Sequence, residues 1–188
     1  MCNHKSGVGV KAGDDVKVYS LPGEDSHTEI YEHYHIRSGL EAAVSRATSL
    51  ELRPVRGMLR VEDYDLCFDD VEPDWWTEQM TVSATKQLFE AAMAQWDGMT
   101  WRHGGDAGLG FLQSIPAGVT LQIGGHAYLD SLQSIPEGVT LKIGGGYARL
   151  GSLQSISEGV TLEIGGSIYC KGTWLSSVAW LRKALEVA

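Results

Sequence analysis

Three consecutive stretches, LQSIPAGVTLQIGGHAYLDS (112–131), LQSIPEGVTLKIGGGYARLGS (132–152) and LQSISEGVTLEIGGSIYCKGT (153–173), align along their whole length at a spacing of 20 to 21 residues. A fixed period of that size marks a solenoid in which each unit is one coil. DGMTWRHGGDAGLGF (97–111) is a worn half copy, with Thr100 over Thr120 and Gly104-Gly105 over Gly124-Gly125. Within a unit Val119, Leu121 and Ile123 alternate with Thr120 and Gln122, the period of a strand with one buried face. Val139, Leu141, Ile143 and Val160, Leu162, Ile164 repeat the pattern. The Gly-Gly pair that follows predicts a sharp turn at positive φ. Ala127-Tyr128-Leu129, Tyr147 and Ile168-Tyr169 bring the chain back, Leu132 and Ile135 point inward again, and Pro136 closes the corner. One coil cannot bury its apolar side alone; stacking makes the core.

The outward row Arg102, Gln122, Lys142, Glu163 changes charge from coil to coil, as a solvated strand face does. The rows Gln113/Gln133/Gln154 and Ser114/Ser134/Ser155 are nearly constant, and stacked amides bonded along the solenoid axis account for them. Open solenoid ends expose apolar edges and need covers. Val178, Leu181 and Leu185 in LSSVAWLRKALEVA (175–188) share a helical face behind Ser176 or Ser177 as N-cap, which predicts the C-terminal cover. Leu88, Phe89, Ala92, Met93 and Trp96 form a helical stripe in SATKQLFEAAMAQW (83–96), which predicts a helix over the first coil with Trp96 and Trp101 packed at the junction.

The pattern L-x-S-I-P-x-G-V-T-L-x-I-G-G-x-x-Y-L resembles the short leucine-rich-type repeats of bacterial and bacteriophage proteins, over roughly residues 98–173. It is also similar to the LPxLPxxLxxL repeats of secreted bacterial ubiquitin-ligase effectors, which carry a large catalytic domain with an essential cysteine after the repeats. Only a short segment follows the repeats here, so ligase activity is not implied. The resemblance implies a protein-binding scaffold, encoded by a phage or prophage.

Charge and glycine divide the chain near position 98. Residues 1–97 hold nine Lys/Arg and eighteen Asp/Glu, the whole net charge of −9; residues 98–188 are neutral and hold seventeen of the 23 glycines. The expected organisation is an acidic α+β domain over 1–97, a β-solenoid of leucine-rich-repeat type over 98–173, and a helical cap over 174–188. An acidic chain of this kind argues against direct binding to nucleic acid or anionic membranes and permits a basic partner. Cys2, Cys67 and Cys170 are odd in number and far apart, which points to a reducing cytoplasm. No apolar run has the length of a membrane span, and MCNHKSGVGVKAGDD at the start lacks the apolar segment of a secretion signal.

In residues 1–97 the expected order is strand, helix, helix, hairpin, helix. VKVYSL (16–21) is a strand, and Asp25 or Ser26 caps a helix with Ser26 and Glu29 at capping-box spacing and Ile30, Tyr31 and Tyr34 on its apolar face. LEAAVSRA (40–47) reads as a second helix, and LELRPVRGMLRVEDYDLCF (50–68) as two strands around Gly57.

Chemistry-bearing residues are few. His27, His33 and His35 with Cys2, His4 or Cys67 could hold zinc, but the spacing of His33 and His35 sends them to opposite sides of a helix and no C-x-x-C or H-x-x-x-H is present. GVGVKAG (7–13) is no phosphate loop, because G-x-x-x-x-G-K-[ST] is absent. Cys67 beside Phe68 reads as a small packed residue. The run from Glu62 to Glu78, EDYDLCFDDVEPDWW followed by TE, holds eight carboxylates and no Lys or Arg. Tyr64, Leu66 and Phe68 alternating with Asp63, Asp65 and Asp69 give a half-buried strand with its acids outward. Asp70, Glu72 and Asp74 crowd a turn and the start of a helix around Pro73, where acids are favourable and proline suits the first turn, and Arg53, Arg56 and Arg60 could neutralise part of the face. Alternatively the run is a recognition surface, since aromatics inside a charged rim make interface anchors.

The expected function is a non-enzymatic protein-interaction module without cofactor, which in the phage setting the resemblance implies takes the form of an inhibitor of a host defence or nucleic-acid enzyme. Asp65, Asp69, Asp70, Glu72, Asp74, Trp75 and Trp76 would meet a basic protein surface. The alternative is a hydrolase holding a divalent metal on Asp65, Asp69 and Asp70. A structural subunit stacking through solenoid ends is a third reading, which two covered ends oppose. No feature of the sequence fixes the oligomeric state.

Overall fold

The computed structural model of this chain describes residues 5–22, 26–36 and 46–186. The segment expected as a second helix (40–47) falls outside them except for its end, where Arg46 and Ala47 lead into a strand; Cys2, His4 and Asp25 also lie outside. The chain forms two compact units, residues 1–53 with 64–95, and residues 54–63 with 96–188.

The first unit is an α+β domain. Strands β1 (Lys5–Ala12), β2 (Asp15–Tyr19), β3 (Ala47–Pro54) and β4 (Tyr64–Phe68) form one sheet in the order β2-β1-β3-β4. Helix α1 (His27–His33) starts at Ser26, whose Oγ accepts from the Glu29 N–H, as the capping-box spacing required. Helix α2 (Glu78–Met93) is capped by Thr77, so it starts five residues before the segment expected as helical (83–96) and only after Pro73, where a helix start was expected. The two helices serve separate cores. Ile30 and Tyr31 of α1 pack with Val8 and Ala47; Met80, Ala84, Leu88 and Ala92 of α2 pack with Val16, Leu50, Leu52, Tyr64 and Trp76. The side chain of Gln87 in α2 bonds both Val18 N–H (2.9 Å) and Val16 C=O (3.0 Å), covering the otherwise open edge of β2.

Strand β1 was hidden in the sequence by its glycines. A Cβ on Gly7 would stand 2.6 Å from Leu88 Cδ2, and one on Gly9 2.8 Å from Leu50 Cδ1. GVGV is therefore a strand whose one face is stripped of side chains to admit a helix and its neighbours, not a ligand loop.

The second unit is the solenoid. Strands β6 (Thr100–His103), β8 (Thr120–Ile123), β11 (Thr140–Ile143) and β14 (Thr161–Ile164) pair in parallel with Thr100, Thr120, Thr140 and Thr161 in register. A second sheet stacks β7 (Ala107–Gly108), β9 (Ala127–Tyr128), β12 (Ala148–Leu150) and β15 (Ile168–Cys170), closed by the antiparallel β16 (Thr173–Leu175). The third side of each coil pairs β10 (Ser134–Ile135) with β13 (Ser155–Ile156) and bridges Ser114 to Ser134. Inward rows of Leu, Ile and Val form one continuous core. The alternating outer row neutralises itself: Arg102 binds Gln122 and Asp97, and Lys142 pairs with Glu163 at 3.0 Å.

Two local expectations change. The Gly-Gly corners carry no positive φ; that conformation belongs to Gly118, Gly138 and Gly159 in the turn before each long strand. The pairs are glycine because coils touch backbone to backbone there, a Cβ on Gly124 falling 2.2 Å from Gly104 O and one on Gly165 2.4 Å from Gly144 O. The Gln row is bonded through the main chain: Gln154 N–H donates to Gln133 C=O, Gln133 N–H to Gln113 C=O, and Gln113 N–H to Val55 C=O.

That last bond identifies the cover of the first coil. Residues 54–63, the last residue of β3 and the loop that leads to β4, belong to the solenoid unit. Met58 of this loop is fully buried in the solenoid core, Leu59 packs against it, and Ser114 Oγ donates to Arg56 C=O. A short strand, β5 (Trp96–Asp97), pairs antiparallel with β6 and sets Trp96 opposite Trp101, as expected of those aromatics. The buried stripe of α2 serves the core of the N-terminal unit, and within the solenoid unit β5 and residues 54–63 cover the first coil. The other end is covered as expected: α3 (Val178–Glu186) starts at Ser177, buries Leu181 and packs Val178 and Leu185 on the core. No helix among the described residues is long and apolar enough to cross a membrane.

Candidate interaction site

Strand β4 is an edge of the N-terminal sheet, and the acidic run leaves it toward the N-cap of α2. The structure divides that run. Asp63 is buried and knits the 54–63 loop: its carboxylate accepts from the Arg60 N–H, and its carbonyl accepts from the N–H groups of Val55 and Arg56. It does not share the outward face expected for it. Asp65 is exposed on β4. Asp69 is tied to α1, its Oδ2 lying 2.6 Å from His27 Nδ1, while His27 Nε2 lies 3.0 Å from Leu50 C=O. A carbonyl can only accept, so His27 keeps its Nε2 proton and meets Asp69 with the other nitrogen.

Asp69 belongs to a polar strip beneath α1. Ser49, Glu51 and Arg53 alternate along β3 on the α1 side; Tyr31 Oη meets Ser49 Oγ at 3.4 Å, and Arg53 binds Glu51 at 2.8 Å. Glu51 is only 4 % exposed. Burial is the largest influence on the Asp69 carboxyl and holds it above the usual carboxylate range, with His27 opposing and Glu51 reinforcing the shift. Burial likewise pushes the Cys67 thiol up, against the pull of Arg53, which keeps it protonated and unlike a nucleophile. Arg53 binds the Glu51 carboxylate, Arg56 donates to the Glu62 carbonyl, and Arg60 pairs with the carboxylates of Glu62 and Asp63.

Asp70, Glu72 and Asp74 come together with Trp75 along a groove of about 490 Å³, whose other wall includes Tyr31 and Ser49. All three acids are exposed, and no Lys or Arg among the described residues lines this groove. Trp75 is half-buried, with Lys11 Nζ 5.9 Å from its ring. Trp76 is a correction to the expected contact set. It is 7 % exposed, packed edge-on against Phe68, seated over Gly9, and bonded through Nε1 to Thr81 Oγ1 at 2.8 Å. Its neighbour on the glycine-stripped face claims the ring, so it serves the core.

The metal alternative finds no geometric support: among the described residues no three His, Cys, Asp or Glu side chains gather as an ion site, and His27 occupies Asp69. His33 and His35 are exposed.

A second group escaped sequence reasoning. On the outer face of the second solenoid sheet Tyr128, Arg149, Tyr169 and Trp174 stand in one cross-strand row. Their sequence signal was weak, because Tyr128 and Tyr169 sit in segments read only as the returning wall of the coil. Comparison with protein-family models, with curated proteins and with solved structures gives no match.

Proposed function

We propose that this chain is a non-enzymatic protein-interaction module whose acidic groove takes a basic protein surface. The observation that carries this reading is the grouping of exposed Asp70, Glu72 and Asp74 around half-buried Trp75, in a groove with no lining Lys or Arg among the described residues. Like charges held together cost stability, and a partner's Lys or Arg would relieve that cost. Trp75 supplies apolar area at the centre of the charged rim. The solenoid, covered at both ends, fits a rigid support better than a stacking subunit. Resemblance of the repeats to those of bacterial and phage proteins gives the reading a specific form: a phage- or prophage-encoded modulator of a host protein, whose nucleic-acid-binding surface would meet the acids.

The test is capture from a bacterial lysate at ~0.1 M and ~0.5 M salt, conditions between which exposed charge pairs are strongly screened. The variant Asp70→Asn/Glu72→Gln/Asp74→Asn runs in parallel. A basic partner held stoichiometrically at low salt, weakened by salt and lost in the variant is the expected result. A partner retained equally by the variant removes the groove from the interaction.

A further inference from the structure

The solenoid carries an aromatic cleft that serves no core. Alternate residues of the same strands, Ala127, Ala148 and Ile168, are buried inside, whereas Tyr128, Tyr147, Tyr169 and Trp174 remain outside the core, with Trp174 56 % exposed. These rings are braced against one another. Tyr147 stacks on His126 at 4.1 Å, and its hydroxyl meets that of Tyr128 at 2.6 Å. Trp174 stands perpendicular to Tyr147 at 5.5 Å and tilted to Tyr169 at 5.2 Å. Between them the Arg149 guanidinium lies over Tyr128 and Tyr169, with its Nε donating to Asp130 Oδ1 at 3.1 Å. Tyr147, Arg149, Tyr169 and Trp174 line an open cleft of about 200 Å³.

We propose that this cleft binds a neutral glycan, one pyranose ring at a time. Its size suits a single ring. A pyranose has one face of C–H groups that stacks on an aromatic plane, and an edge of adjacent hydroxyls that both donate and accept. The Arg149–Asp130 pair answers that edge: the guanidinium has five donors, of which Nε–H serves Asp130, and a carboxylate accepts at both oxygens. A purely apolar ligand would leave this pair desolvated. A polyanion would meet the Asp130 carboxylate, and a cationic side chain would meet Arg149. The neighbouring rings hold the cleft open in advance, so little ordering opposes binding. This inference is independent of the acidic groove, which lies in the other unit.

The experiment titrates the full chain with maltotetraose, cellotetraose and N,N′,N″,N‴-tetraacetylchitotetraose, each to ~10 mM, by saturation-transfer NMR and calorimetry, a range that reaches millimolar affinity. At least one should bind, with Trp174→Ala and Tyr169→Ser each weakening it about tenfold, the loss of one stacking partner. Both positions are outside the core, and circular dichroism confirms that the variants fold. Arg149→Lys, which removes the planar fork, should weaken it as well, while Asp70→Asn/Glu72→Gln/Asp74→Asn should bind as wild type. Silence with all three sugars, binding unchanged in Trp174→Ala, or binding of a heparin fragment alone overturns the proposal.

Discussion

Asp69 has two neighbours with opposite demands, the imidazole of His27 and the buried carboxylate of Glu51. Because burial raises its folded pKa, the native state keeps this proton to a higher pH than the unfolded chain does. Unfolding in that interval releases a proton, so the contribution of Asp69 to stability is full below the ordinary carboxylate range and is lost as pH rises through the raised value. Urea midpoints measured from pH 3 to pH 7 should show wild type losing stability relative to Asp69→Asn across that interval. A constant difference between the two would show that Asp69 titrates alike in both states.

At the scale of elements, the Gly-Gly corner decides how closely coils stack. A methyl group at Gly165 would meet the Gly144 carbonyl at 2.4 Å, whereas one at Gly104, on the first coil, meets nothing within 4 Å. Gly165→Ala should therefore destabilise by on the order of 2 kcal/mol through forced backbone shifts, and Gly104→Ala should be close to neutral. Thermal or urea unfolding of the two variants checks this; equal effects would mean that intrinsic glycine flexibility, not coil approach, governs the corner.

Across the whole molecule, the chain crosses between its two units at 53/54, 63/64 and 95/96. A fragment beginning at Trp96 would hold every repeat yet lack Met58 and the Val55 carbonyl that binds Gln113. It should expose the first coil, melt well below the same transition in the full chain, and associate in gel filtration. Met58→Ala in the full chain should reproduce part of that loss, about 2–5 kcal/mol for a buried methionine. A fragment as stable and monomeric as the full chain would show that β5 alone suffices as cover.

The repeat, the coil, the inward Leu/Ile/Val rows and the C-terminal cover are written in local periodicity and could be read from the residues, because each coil needs only the next. The Ser26 cap and the two strands flanking the 54–63 loop were legible for the same reason. Tertiary structure alone decided what depends on distant chain. It placed Trp76 over Gly9 and Asp69 beside His27, and left Asp70, Glu72 and Asp74 exposed on one groove. It put the 54–63 loop on the first coil, and it aligned Tyr128, Arg149 and Tyr169 from three coils into one row. Alternation shows which residues of a strand face in; which residue from elsewhere meets them is set by packing and register, which no local pattern encodes.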